Sequence, residues 1–185
     1  DYAVPPPAGI LLDRLAESEV PVISVGKISD IFLGRGITQS LKTKTNAEGM
    51  ARTLDALGQL DRGLIFVNLV DFDMLYGHRN EPEGYSQALE AVDRWLPSLT
   101  GALRPDDLVI LTADHGGVSR NHGMDDPRSH TVPWIAAGPG VRRGFDITSE
   151  SDVPVDLQDT FAVLCERLGL VPPQPVDGKT LPVIA

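Results

Sequence analysis

Four short runs of aliphatic residues constrain the fold of this chain more than any other feature of its sequence. The runs are PVISVG (21–26), GLIFVNLV (63–70), DLVILTA (107–113) and VPWIAAG (132–138). Each is rich in Val, Ile or Leu and lacks polar alternation, which is typical of strands in a sheet covered on both faces. We therefore expect each run to form a buried β-strand.

Helical patterns lie between several of these runs. Apolar residues recur at spacings of three and four in residues 9–19, 46–60 and 83–104, and Pro97 is expected to kink or divide the last helix. Strands that alternate with helices predict an α/β fold with a mostly parallel sheet sandwiched between helices. In such sheets ligands gather at the carboxyl ends of the strands.

Local signals predict where helices begin and end. Asn46 and Asp156 are plausible N-caps, and Gly169 is a plausible C-terminal stop. Cys165 lies in a helical pattern, so we expect a buried structural thiol and not a nucleophile. A single cysteine excludes an internal disulfide and fits a reducing compartment such as the cytoplasm.

The charge and length of the chain limit its function. The net charge of −10 argues against a nucleic-acid-binding surface, because phosphate neutralisation requires a basic footprint. No apolar stretch is long enough to span a membrane. At 185 residues, a single domain is the default expectation. An acidic chain that handles a phosphorylated substrate needs a local source of positive charge, such as metal ions.

Carboxylates and imidazoles follow two of the predicted strands at the point where each ends. Asp73 and His78 follow the second run, and Asp114, His115 and His122 follow the third. Such sets suit Zn, Mn or Fe, and two sets side by side suit a pair of ions that clamp a phosphoryl group. A lone acid after a strand is more often a turn former, and we favour that role for Asp71.

Two further features bear on this edge of the sheet. Gly116 and Gly117 fit a backbone that turns tightly beside bound ions. Lys27 follows the first run, where it would reach a phosphate as a point charge or remain a solvated lysine, two outcomes of similar weight. The spacing of a Walker motif or a dinucleotide fingerprint is absent.

Several motifs carry a family resemblance. TADHG (112–116), a later histidine and VPWIAAGPGV resemble the metal-binding C-terminal half of the alkaline phosphatase superfamily. More narrowly, VGKISDIFLGRGIT, KTKTNAEGM and FVNLVDFDMLYGHR resemble phosphopentomutase, with similarity running from residue 1 to about 115.

The resemblance implies a core domain with two bound divalent ions, Mn or alternatively Zn. Asp73 and His78 match the family's pair for one metal, Asp114 and His115 match the pair for the other, and Lys27 matches a lysine of the substrate pocket. The family's phosphorylated threonine and one more aspartate come from an N-terminal segment that precedes a mobile cap. We therefore expect residues 1–185 to be a single metal-binding core domain, the C-terminal part of a larger enzyme.

The sequence departs from the phosphopentomutase pattern after Asp114. In that family the third histidine comes twelve residues after this aspartate, and position 126 here is an aspartate. The DHGG…HG pattern resembles phosphodiesterase- and sulfatase-like members instead, which favours His122 as the third imidazole and leaves His130 as its rival.

Three functional hypotheses follow from the sequence. The first is a phosphopentomutase-like enzyme that interconverts the 1- and 5-phosphates of ribose or deoxyribose. The second is a hydrolase of the same superfamily, a phosphoesterase, phosphodiesterase or sulfatase-like enzyme. The third is that the chain by itself is an inactive metal-binding fragment or an interaction module.

Overall fold

The structure, a computed structural model, describes residues 4–116, 130–150, 155–172 and 178–181. These residues divide into two compact units. Unit 1 comprises residues 4–103, 115–116 and 130–131, and unit 2 comprises residues 104–114, 132–150, 155–172 and 178–181. In this described part of the chain, no helix has the length and apolar character needed to cross a bilayer.

Unit 1 contains a three-stranded parallel sheet with β1 at its centre. The strands are β1 (Val22–Val25), β2 (Gln39–Leu41) and β3 (Leu64–Val67), in the order β2-β1-β3. Every residue of β1 is buried, as the continuous apolar run predicted. The parallel pairing on both sides of β1 confirms the α/β fold expected from the sequence.

The described residues of unit 1 also form five helical elements. They are α1 (Leu11–Glu17), α2 (Ile28–Ile31), α3 (Asn46–Gln59), a π-helical turn (Phe72–Gly77) and α4 (Pro82–Ala102). The three predicted helices are present, but α4 is not divided at Pro97. Proline removes one backbone hydrogen bond, and the buried side chains of Val92 and Leu99 on either side of it keep the helix packed.

Helix α3 presents a face of small residues to the sheet. Gly49, Thr53 and Ala56 are buried on this face. A Cβ atom added to Gly49 would lie 3.0 Å from Cδ2 of Leu69, so the helix approaches the segment after β3 very closely. Its N-cap is Thr45, whose Oγ1 accepts the Glu48 N–H at 3.2 Å, so the prediction of Asn46 as the cap was wrong by one residue.

The described residues of unit 2 form a two-stranded sheet and two helices. Its elements are β4 (Val109–Thr112), β5 (Trp134–Ala137), α5 (Ile147–Glu150) and α6 (Asp159–Leu168). Val163 and Leu181 are buried at its centre, surrounded by the partly buried side chains of Leu108, Ile110, Trp134, Phe145, Ile147 and Val155. The indole N–H of Trp134 donates to Thr160 Oγ1 at 2.9 Å, which ties β5 to α6.

The pairing of β4 with β5 is the antiparallel part of a fold predicted to be mostly parallel. Ile110 lies opposite Ala136 in this pair. A parallel pair needs a crossover connection, usually a helix, whereas an antiparallel pair needs only a returning loop. The intervening sequence, rich in Gly and Asp, carries no helical pattern.

A buried carboxylate anchors the beginning of α6. Asp159 is 1% exposed and accepts backbone N–H groups from Asp156 at 2.9 Å and from Lys179 at 2.8 Å. Helix α6 begins at Asp159, so its N-cap is Gln158 and the prediction of Asp156 as the N-cap was wrong. Gly169 ends the helix at φ +68°, as predicted, and Cys165 is buried.

Candidate metal centre

The turn after β3 brings a carboxylate and an imidazole together. Oδ2 of Asp73 lies 3.2 Å from Nε2 of His78, and the two side chains are 45% and 48% exposed. β3 ends at Val67, so the turn lies beyond the carboxyl end of the strand, where parallel sheets bind their ligands. The pair is thus both close and open to solvent.

The π-helical geometry of this turn is what joins the pair. The His78 N–H donates to the Asp73 carbonyl at 3.0 Å, a bond that spans five residues. In an α-helix, two positions five residues apart point about 140° away from each other. The wider π turn returns the chain to the same side after five residues, and single π turns are frequent at functional sites.

The separation of the two donor atoms suits a shared metal ion. Two ligand atoms that each lie about 2.1 Å from one ion, at angles of roughly 90–110°, are themselves roughly 3.0–3.4 Å apart. The distance of 3.2 Å between Asp73 Oδ2 and His78 Nε2 falls within this range. An oxygen and a nitrogen donor together suit Mn, Zn or Fe.

Neighbouring elements hold the start of the turn. At its start, the Asp71 N–H donates to Asn46 Oδ1 at 2.9 Å, and the Asn46 N–H donates to Asp71 Oδ2 at 2.7 Å. The Phe72 ring packs on the ring of Tyr85 in α4, with 5.2 Å between centroids. Asp71 is therefore a turn residue, as favoured from the sequence, but one bonded reciprocally to α3.

Lys27 lies at the carboxyl end of β1, on the same edge of the unit 1 sheet. It is exposed and follows Gly26, whose φ is +83°. A Cβ atom on residue 26 would lie 2.3 Å from the carbonyl oxygen of Asn68, so only glycine fits there. By contrast, Lys42 is held in an ion pair with Asp30 at 2.7 Å.

Asp114 and His115 follow β4, which ends at Thr112. Asp114 is exposed and His115 is partly buried, with Nδ1 of His115 lying 3.3 Å from the Gly116 carbonyl oxygen. If Nδ1 carries the ring proton it donates to that oxygen, and the lone pair on Nε2 then suits a metal. Upstream, Thr112 Oγ1 donates to the Pro133 carbonyl at 2.8 Å and ties the end of β4 to the start of β5.

The third imidazole stays a prediction. His122 lies outside the described residues, and its rival His130 is exposed. Within the residues that the structure describes, no three His, Cys, Asp or Glu side chains gather closely enough to hold an ion. The proposed two-ion set remains an expectation carried by the two carboxylate–imidazole pairs.

Sequence reasoning missed two supports of the site. Gly26 directs the chain into Lys27, and Asn46 contacts the turn that carries Asp73 and His78. The sequence did contain a signal for the turn. Asp73 and His78 are five residues apart, and this spacing does not place two side chains on the same face of a strand or of an α-helix. Asn46 was recognised as a capping residue, but the sequence predicted that it would cap α3 and not the turn after β3.

Comparison with known proteins gives the family context. The model of the family described as "Metalloenzyme superfamily" matches residues 21–172. A phosphopentomutase from Anaeromyxobacter sp. (strain K) is 51% identical over 166 residues, which are 88% of this chain and 42% of that protein. A phosphopentomutase from Kosmotoga olearia is 48% identical over 161 residues, 87% of this chain and 41% of that protein.

A solved structure supports the fold. Phosphoglycerate mutase from Leishmania mexicana, crystallised at low cobalt concentration, matches with a TM-score of 0.69 over 93% of this chain and 39% of its own, at 20% identity. At that identity the likeness concerns the fold alone. The sequence similarities confirm the resemblance drawn from the motifs, and this chain spans about 42% of the length of the phosphopentomutases that it matches.

Proposed function

Because the chain belongs to the Metalloenzyme superfamily, we propose that it is the metal-binding part of a phosphomutase that interconverts the 1- and 5-phosphates of ribose or deoxyribose. The phosphopentomutase relatives, at about half of all positions identical, support this choice of substrate over other phosphoesters. The single observation that carries the proposal is the Asp73–His78 pair, 3.2 Å apart at the carboxyl end of the parallel sheet.

Two divalent ions are the cofactors of the proposed enzyme, and manganese is the metal we propose. Asp73 and His78 would hold one ion. Asp114, His115 and His122 would supply further ligands to the two ions. Bound ions supply positive charge that stabilises the phosphoryl group in transfer. That supply matters here, since the chain itself carries a net charge of −10.

The residues of this chain bind and orient the substrate phosphate. Lys27 leaves the end of β1 with an exposed ammonium group, a point charge for a phosphate oxygen. Gly26 and the hydrogen bond from the Asn68 N–H to the Val25 carbonyl, 3.0 Å long, fix the backbone from which Lys27 projects. We assign no nucleophile to a residue of this chain.

Two wider assignments belong to the same proposal. We place the protein in the alkaline phosphatase superfamily, on the TADHG motif and on a fold similar to that of a phosphoglycerate mutase. We also propose that it works in the cytoplasm, where a phosphorylated pentose is its partner and neither nucleic acid nor membrane is. The one cysteine, buried in α6, is consistent with a reducing compartment.

The test uses the full-length protein loaded with Mn²⁺ and supplied with ribose 1-phosphate. We expect ribose 5-phosphate with little free phosphate, whereas stoichiometric release of inorganic phosphate would identify a hydrolase. We expect His115→Ala to lower turnover and bound Mn²⁺ by about 100-fold or more, because it removes a ligand and second-shell changes alone reach 10–100-fold. Unchanged turnover in this variant would refute the site.

A pair of matched variants resolves the third imidazole. We expect His122→Ala to behave like His115→Ala, and His130→Ala to stay close to the wild-type protein in both turnover and Mn²⁺ content. The reverse pattern would assign the ligand to His130 instead. Metal content is measured by elemental analysis of the purified proteins.

A further inference from the structure

Two helix beginnings in unit 1 satisfy each other's backbone. Asn46 is the first residue of α3, and Asp71 immediately precedes the π-helical turn. The backbone N–H of each donates to a side-chain oxygen of the other, at 2.7 and 2.9 Å. We call this pair of hydrogen bonds the reciprocal cap. N–H groups at the start of a helix lack acceptors within the helix. A cap of this kind supplies those acceptors from side chains.

The π-helical turn depends on the reciprocal cap more than α3 does. α3 has its own capping bonds, from the Glu48 N–H to Thr45 Oγ1 and from the Lys44 N–H to Glu48 Oε2. Within the described residues, the Asp71 N–H donates a hydrogen bond only to Asn46. The amide of Asn46 therefore contributes chiefly to the turn, which begins one residue before Asp73.

The choice of asparagine at this position is not explained by packing. Asn46 is 6% exposed, and its Nδ2 is buried without a hydrogen-bond partner in the described part of the chain. A buried donor without a partner is unfavourable, and such groups call for an explanation beyond stability. Aspartate would offer the same acceptor, but its charge would face the Asp71 carboxylate, and like charges that close repel.

We propose that Asn46 is a positioning residue for the candidate metal centre, which it serves by holding the start of the π-helical turn through Asp71. The inference rests on the proposed function, since it assumes that Asp73 and His78 bind an ion. By fixing where the turn begins, Asn46 sets where both donor atoms lie. When a residue that orients metal ligands without touching the metal is replaced, metal affinity commonly changes by about 10–100-fold.

The test compares Mn²⁺ affinity in four full-length proteins. They are the wild type, Asn46→Ala, the exchange Asn46→Asp/Asp71→Asn, and the control Thr45→Ala. The exchange keeps the acceptor on each side and the net charge unchanged, so it re-forms the reciprocal cap with the partners reversed. Thr45→Ala removes a cap of α3 without touching the π-helical turn. Affinity is measured by calorimetric titration and by the paramagnetic resonance signal of bound Mn²⁺.

We expect Asn46→Ala to weaken Mn²⁺ binding by about 10–100-fold while circular dichroism stays that of a folded protein. The Mn²⁺ affinity of the exchange variant should lie within about threefold of the wild-type value, because each backbone N–H keeps a side-chain oxygen as its acceptor. Thr45→Ala should lower the midpoint of thermal unfolding and leave the affinity unchanged. A variant that affects only the stability of α3 would not produce this pattern.

Three results would overturn the inference. They are wild-type affinity in folded Asn46→Ala, failure of a folded exchange variant to recover affinity, and an equal loss in Thr45→Ala. If Asn46→Ala does not fold, Asn46→Gln replaces it, since one added methylene displaces the acceptor and keeps the amide. A wild-type protein that neither binds Mn²⁺ nor isomerises ribose 1-phosphate contradicts the proposed function itself, which is a separate failure.

Discussion

The turn after β3 and the end of β4 present the same two side-chain types by different backbone routes. Asp73 and His78 are five residues apart in the sequence, and a π-helical turn closes that gap to 3.2 Å. Asp114 and His115 are adjacent, so no particular fold is needed to keep them near each other. The first pair is brought together by a local backbone conformation, and the second by adjacency in the sequence.

This difference decides how fragile each pair is. The unit 1 turn is held by the reciprocal cap and by the contact between the Phe72 and Tyr85 rings. We expect a change in those supports to alter the spacing of Asp73 and His78. The adjacent pair in the second case cannot be pulled apart, although its orientation depends on the strand that delivers it.

The largest expected effect comes from inserting one alanine between Met74 and Leu75. One more residue in the turn places His78 six residues after the aspartate and rotates it around the helix axis, away from Asp73. We expect Mn²⁺ affinity of the full-length protein to fall by about 100-fold, as for loss of a ligand. The matched control is Met74→Ala, which changes an exposed side chain and keeps the five-residue spacing. Equal affinity in the insertion variant would show that the π turn is incidental.

An intermediate effect is expected from Gly26→Ala. The left-handed φ of +83° and a Cβ atom 2.3 Å from the Asn68 carbonyl oxygen should together lower the free energy of unfolding by about 2–4 kcal/mol. Because Lys27 follows directly, we also expect a higher KM for the sugar phosphate. Urea unfolding and steady-state kinetics measure the two quantities.

Gly138 in unit 2 provides the control for that substitution. Its φ is +145°, and a Cβ atom there would lie 2.5 Å from the Asp107 carbonyl oxygen, so Gly138→Ala should also destabilise the protein. Asp107 precedes β4, at the opposite end of that strand from Asp114, and KM should therefore stay unchanged. A rise in KM for both variants would mean that lost stability, and not the position of Lys27, explains the effect.

A third carboxylate shows what a structural aspartate of unit 1 looks like. Asp13 is 14% exposed, against 45% for Asp73, and it receives a two-pronged contact from Arg35 at 2.6 and 2.8 Å. Burial opposes ionisation of Asp13, but the hydrogen bonds and charge of Arg35 and the Gly9 N–H hold the pKa of Asp13 below its ordinary value of 3.8.

The smallest effect is therefore expected from Arg35→Met, which leaves Asp13 without its cation. A lowered pKa in the folded state means that Asp13 stabilises the protein above its unfolded pKa and loses this contribution as pH falls through the folded pKa. We expect a loss of about 1–3 kcal/mol at pH 7 that shrinks once the pH drops below about 4. Urea unfolding across that range measures it, and a pH-independent difference would contradict the assignment.

Much of the fold was readable in the sequence because burial leaves a strong pattern. β1 is buried at every residue, and its aliphatic run was unmistakable. β2 was missed because Gln39 and Ser40 are polar and exposed at the edge of the sheet, so no apolar run marks them. The sequence predicted a mostly parallel sheet but could not identify β4 and β5 as its antiparallel pair, because a strand's own sequence does not state its direction.

The site was readable only in part. Residue types and family motifs pointed to Asp73 and His78, but their proximity depends on a π turn, and no propensity scale anticipates one. The role of Asn46 was hidden for a related reason, since its partner Asp71 lies 25 positions away. Local patterns report neighbours along the chain, and hydrogen bonds of this range become visible only in three dimensions.

The bare backbone of Gly49 has a consequence for the ligand geometry. Because residue 49 lacks a side chain, α3 lies almost against Leu69, and this closeness allows Asn46 at its first turn to reach Asp71. A methyl group there would require either the Leu69 side chain or the helix to shift by a few tenths of an ångström. We therefore expect Gly49, which contacts neither Asp73 nor His78, to help set the position of these two proposed ligands.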